Sequence, residues 1–105
     1  MSKADVGYDL EGSLRSKDRV FVLFYASWCP YSRRFLPIFE RFAQDKTRTC
    51  MSVVIDDKAS LCEKYSIEVY PTVLVFDKGK VVQRLDGVLG VGLSEEQLMS
   101  LVETN

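Results

Sequence analysis

Cys29 is the residue of this 105-residue chain best placed to do chemistry. It sits in Ser27-Trp28-Cys29-Pro30-Tyr31-Ser32, and Ser32 stands where a second cysteine would complete a C-x-x-C pair. A thiol attacks disulfides as its thiolate, and a helix N-terminus stabilises that anion through unpaired N–H donors and the positive end of its dipole. Pro30 suits a first helical turn, where its missing N–H is unpaired in any case, so Cys29 is expected at a helix start. The Ser32 hydroxyl is expected to donate a hydrogen bond to the sulfur, and Arg33 and Arg34 to add positive charge that solvent screens. Exchange with a disulfide would join Cys29 to one half of it. A second cysteine would then release the product, whereas a serine hydroxyl is too poor a sulfur nucleophile to do so. The chain as written is expected to run monothiol exchange or to trap its partners, not to complete a two-thiol cycle.

The rest of the composition narrows the chemistry further. There is no histidine, which removes imidazole acid–base work, Cys-His pairs and His-ligated metals. Three scattered cysteines are too few for a four-thiolate zinc site or a disulfide framework, so no metal and no cofactor is expected. Cys50 opens an apolar run and reads as a buried structural thiol. Cys62 reads as more exposed, with a regulatory disulfide as the less favoured alternative. Asp56-Asp57 reads as a turn after a strand rather than a catalytic carboxylate pair. Tyr31 and Tyr70 read either as a partner-contacting aromatic patch or as half-buried packing. A formal net charge of −1 gives no overall field toward nucleic acid or an anionic membrane, and no apolar run is long enough to span a bilayer. The polar N-terminus has no signal-like apolar stretch, and the expected location is the cytoplasm.

The elements that must position Cys29 follow from periodicity. Residues 19–26, RVFVLFYA, form a nearly continuous apolar run, the pattern of a strand buried on both faces. Phe35, Ile38, Phe39 and Phe42 then recur at helical spacing, with Pro37 inside that helix. Residues 50–55 read as a second buried strand, and 59–65 as a short helix. Residues 72–77 and 80–86 form a hairpin around Lys78-Gly79. Ser94 with Gln97 matches a capping box that opens a last helix, whose buried stripe is Leu98, Leu101 and Val102. A short leading helix is expected over 8–16. A strand–helix–strand unit followed by helix–hairpin–helix predicts one α/β domain over 1–105, with a mixed sheet and helices on both faces.

Taken together, the YASWCPYS stretch, Pro37 five residues after Ser32, VVIDD, KYSIEVYPTVLVFDKGK and the closing helix resemble the thioredoxin family across about residues 18–105. The resemblance implies a thioredoxin-like fold and thiol–disulfide oxidoreductase chemistry on protein disulfides, with a thiol or reductase as electron donor and a monomeric protein. Cys29 matches the family's nucleophile, Trp28 its flanking tryptophan and Pro71 its cis-proline beside the cysteine. Tyr70 matches the residue whose backbone pairs with an extended substrate segment. Pro30 and Tyr31, between Cys29 and Ser32, are assigned with them to substrate contact.

Four departures stand out. Ser32 replaces the resolving cysteine. Leu23 and Ser52 occupy the positions of the family's buried carboxylate and its lysine partner. GVLGVGL, residues 87–93, makes a longer loop than usual before the last helix. Ser32 is either native to a monothiol centre or a Cys→Ser change in a C-P-Y-C parent. Two other functions stay open: a redox-inactive module that binds extended polypeptide around Trp28, Tyr70 and Pro71, and glutathione-dependent monothiol exchange, which the CPYS motif permits.

Overall fold

Two strands with apolar side chains on both faces organise the molecule. A computed structural model describes residues 12, 14–56 and 59–103. The first run becomes β1 (Arg19–Tyr25) and the second of the two becomes β3 (Thr72–Asp77), central neighbours in a four-stranded sheet of order β2-β1-β3-β4. Here β2 is Thr49–Val54 and β4 is Lys80–Asp86. β1 pairs with β2 in parallel and with β3 antiparallel, and β3 pairs with β4 antiparallel. Parallel pairing of β1 and β2 requires a crossover, which α1 (Pro30–Phe42) supplies.

Because side chains alternate along a strand, β1 and β3 each feed two cores. Phe21, Leu23, Val73 and Val75 pack with Phe35, Phe39 and Phe42 of α1 and with Leu98 and Leu101 of α3 (Glu95–Glu103). Val20, Val22, Phe24, Leu74 and Phe76 pack on the opposite face with Leu14 and with Leu61 of α2 (Ala59–Lys64). The mixed sheet with helices on both faces is the expected α/β architecture. The helix expected over 8–16 lies mostly outside the described residues.

Local chemistry fixes the boundaries. Lys78 and Gly79 turn the hairpin with φ of 53° and 86°, the left-handed conformation that a two-residue hairpin needs. Ser94 closes the capping box: the Gln97 amide donates to Ser94 Oγ at 3.2 Å, and Gln97 Oε1 accepts the Ser94 amide at 2.9 Å.

The second strand departs from its expected burial. β2 lies at the sheet edge, with Thr49 and Ser52 exposed and Val53 its one buried residue. Cys50 is accordingly half-buried. An edge strand has only one neighbour and incomplete cover, whatever its apolar content.

Candidate active site

β1 delivers the chain directly to the site. Its last residue leads into Ala26-Ser27-Trp28, and Cys29 then occupies the N-cap of α1, with extended φ and ψ of −88° and 123° and Pro30 as first helical residue. The Cys29 amide donates to the Ala26 carbonyl at 3.2 Å, and the Cys29 carbonyl accepts the Arg33 amide at 3.0 Å. The loop is tied from the other side by Asp56, in the turn just after β2. Its carboxylate accepts the Ser27 amide at 3.0 Å and also the Ser27 hydroxyl. Asp56 therefore positions the cysteine loop. Asp57 lies outside the described residues. Sequence reasoning read this aspartate only as a turn residue, since its partner is 29 positions away.

The Cys29 sulfur lies 3.8 Å from the Tyr70 carbonyl oxygen, and the Tyr70–Pro71 peptide bond is cis. Trp28 is 65% exposed and meets the Tyr70 ring edge to face at 6.0 Å between centroids. Cys29, only 7% exposed, opens onto a groove of about 310 Å³. One wall is Trp28, Pro30 and Tyr31, another Val69 and Tyr70, and a third Val88, Leu89 and Gly90. Among the described residues lining it, Glu68 alone carries a formal charge. Five of the expected site residues, Trp28, Cys29, Pro30, Tyr31 and Tyr70, thus converge on one groove. Pro71 is buried behind it, with its carbonyl turned toward Gly87.

Ser32 plays a different part from the one expected. It is fully buried, and its Oγ accepts the Ala26 amide at 3.2 Å rather than donating to the Cys29 sulfur. The amide at the end of β1 comes within reach because the loop folds back over the first turn of α1, a closure that residue spacing does not display. Arg34 also turns away from the sulfur. Its guanidinium lies over the Tyr31 ring at 5.5 Å and donates to the Val91 carbonyl. Leu23 and Ser52 are register partners across β1 and β2, so the two positions that depart from the family pattern sit side by side and neither carries a titratable group.

These contacts permit one chemistry well: an N-cap thiol at the floor of an apolar groove, beside a backbone carbonyl, with a hydroxyl in place of a second thiol. The family model described as Thioredoxin matches residues 7–103. The chain belongs to the thioredoxin family. It is 35% identical over 82 residues to thioredoxin from Mycoplasmoides gallisepticum, covering 77% of this chain and 82% of that one. It is 31% identical over 87 residues to protein disulfide-isomerase A5 from Mus musculus, covering 77% of this chain but only 17% of that protein. Among solved structures, Fasciola hepatica thioredoxin superimposes with a TM-score of 0.79 at 26% identity, covering 93% and 92% of the two chains.

The other two thiols lie outside the groove. All three cysteines are free. Cys62 is half-buried, with its sulfur 3.8 Å from the Tyr70 hydroxyl. Burial, with the Cys62 thiol alongside, holds that hydroxyl above its ordinary pKa, so Tyr70 stays neutral at physiological pH. Burial pushes the Cys50 thiol up to about 11, partly offset by the charge of Arg48. Only the thiolate alkylates readily. Labelling of Cys50 by iodoacetamide is therefore expected to be slow at pH 7–8 and to rise about tenfold per pH unit until pH approaches 11. Peptide mapping after timed labelling checks this, and rapid labelling at pH 7 would contradict it.

Proposed function

We propose that this chain carries out thiol–disulfide exchange with Cys29 as nucleophile, and that it holds the resulting mixed disulfide because Ser32 cannot resolve it. The observation that carries this reading is the placement of Cys29 at the N-cap of α1, lining the groove with its sulfur 3.8 Å from the Tyr70 carbonyl. The helix N-terminus favours negative charge on sulfur as it attacks. The Cys29 thiolate bonds to one sulfur of the substrate disulfide, and the other sulfur leaves with the bonding pair and takes a proton from solvent. Reversal or release requires a second thiol. Ser32 is buried and its oxygen is engaged by the Ala26 amide, so the electron donor is an external thiol or a reductase.

The groove favours protein disulfides over glutathione. Its walls are largely apolar, and the single charged residue among those described is the acidic Glu68, which disfavours the carboxylates of that tripeptide. A purely non-covalent polypeptide binder would use the same walls but would have no need of the thiol.

Replacing Cys29 with serine separates the two. Incubation of the reduced native chain with a peptide disulfide is expected to give one covalent adduct on Cys29 that persists without added thiol and is released by a dithiol. The Cys29→Ser chain is expected to give none at that position while keeping non-covalent peptide affinity. Adduct mass and peptide mapping provide the readout. A native chain that binds the peptide yet never forms the Cys29 adduct would favour the binder.

A further inference from the structure

The loop between β4 and α3 is built in a way that the exchange chemistry does not itself require. Val88 and Gly92 close it on themselves: the Val88 amide donates to the Gly92 carbonyl at 3.1 Å, and the Gly92 amide to the Val88 carbonyl at 2.8 Å. Gly90 and Gly92 take φ of 79° and 87°, which lets so short a closure form. The tip then presents apolar side chains to solvent, with Val88 50%, Leu89 86% and Val91 59% exposed. Arg34 ties that tip to α1. From the first turns of α1 it donates to the Val91 carbonyl while its guanidinium lies over Tyr31. The loop backbone rests directly on this pair, since a Cβ on Gly92 would stand 3.0 Å from Arg34 Nη2 and 3.1 Å from Tyr31 Cβ. The consequence is that Val88 and Leu89 stand as a wall of the groove that contains Cys29.

We propose that Arg34 is a positioning residue that clamps the 87–93 loop over the active-site groove, and that the clamped wall makes the site prefer disulfides whose cysteine is flanked by a bulky apolar side chain. The proposal rests on the reading of Cys29 as nucleophile. The occupant is an extended polypeptide segment, because the substrate sulfur must reach Cys29 and the residue next to it then lies along the groove. Trp28, Val88 and Leu89 leave apolar surface exposed that such a side chain would cover, whereas a polar side chain there gains no partner and loses water. Arg34 is suited to the clamp because its planar head can stack on Tyr31 and donate to a carbonyl at once.

Two peptides of equal length and charge, carrying Leu or Ser beside one cysteine, are activated as mixed disulfides with 2-thiopyridine. Attack by Cys29 on the peptide sulfur releases 2-thiopyridone, which is followed by absorbance, and the adduct is located by mass. Dipyridyl disulfide, which has no flanking residue, provides the reference rate for each variant. The native chain is expected to react about tenfold faster with the Leu peptide than with the Ser peptide, the scale of discrimination that an apolar pocket gives. After division by each variant's rate with dipyridyl disulfide, Arg34→Ala is expected to bring the ratio close to 1. Arg34→Lys, which keeps a donor for the Val91 carbonyl, should restore part of it. Leu89→Ser, at an exposed position where folding is not at stake, should also lower the ratio. Equal rates with the two peptides in the native chain, or an unchanged ratio in Arg34→Ala and Leu89→Ser, would overturn the proposal alone. A native Cys29 that fails to react even with dipyridyl disulfide would overturn the nucleophile reading as well.

Discussion

On the mechanism proposed for Cys29, Ser32→Cys is expected to replace lasting capture of a disulfide by its release. Cys29 is the N-cap of α1, and position 32 lies three residues on in its first turn. Helix geometry places Cα atoms three residues apart about 5 Å from each other, within the Cα separations of about 4.4–6.8 Å that disulfides adopt. A thiol there would attack the Cys29 half of a mixed disulfide, free the substrate thiol and leave an intramolecular disulfide between Cys29 and the introduced sulfur. Because the attack is intramolecular, it competes with external thiol at an effective concentration far above the millimolar range. The lifetime of the mixed disulfide without added thiol is expected to fall by at least about 100-fold. Oxidation should remove two hydrogens from the mass, and dithiol-driven reduction of a protein disulfide should become catalytic.

The same substitution has a structural cost. Ser32 Oγ accepts the buried Ala26 amide, and sulfur is a weaker acceptor. Loss of a buried partner costs about 1–3 kcal/mol, so the reduced variant should unfold at lower denaturant than the native chain by an amount at the lower end of that range. Mixed disulfides that outlast those of the native chain would refute the assignment of position 32 as the resolving position.

What could be read before the fold was known is what depends on near neighbours in the chain. Val20 through Phe24 announce a strand covered on both faces, and the two cores meet on them. Ser94 and Gln97 announce a helix start, because both partners lie within one turn. Cys29 and Pro30 announce the cap of α1 for the same reason. The misjudged features all depend on contacts that only the folded chain makes. The apolar content of 50–55 does not reveal that β2 has no neighbour on one side. The hydroxyl of Ser32 has the Cys29 sulfur as its near neighbour in the chain, and only the folded loop brings the Ala26 amide to it. Arg34 looks like a solvated helix residue until the loop 57 positions later arrives beneath its guanidinium. The site was thus legible as a set of residue types, and the contacts that orient them were not.

Gly87 belongs to that second class, and its replacement by alanine is expected to damage both stability and reactivity. Its φ is not in the left-handed region, so the need for glycine is one of space. A Cβ at this position would lie 2.5 Å from the Pro71 carbonyl oxygen and 3.5 Å from the Pro71 carbonyl carbon and nitrogen. Those are backbone atoms and cannot rotate aside. The opposing segment is held as well: Thr72 Oγ1 donates to the Val69 carbonyl at 2.8 Å, and Thr72 pairs with both Phe24 of β1 and Asp86, the residue before Gly87. Relief therefore comes either from opening the end of β4 or from pushing Tyr70 and Pro71 relative to Cys29, whose sulfur faces the Tyr70 carbonyl. Overpacking of this kind costs about 1–3 kcal/mol, measurable as a lower denaturant midpoint. A shift of about 1 Å at the reacting groups can cost about 100-fold in rate, so capture at Cys29 should slow by about 10- to 100-fold when measured well below the unfolding transition. A slowed rate at nearly native stability would mean that the strain is relieved at Tyr70 and Pro71, whereas lost stability at a native rate would place the relief in β4. A Gly87→Ala chain with both properties unchanged would show that the close approach of these two backbones does not constrain the site.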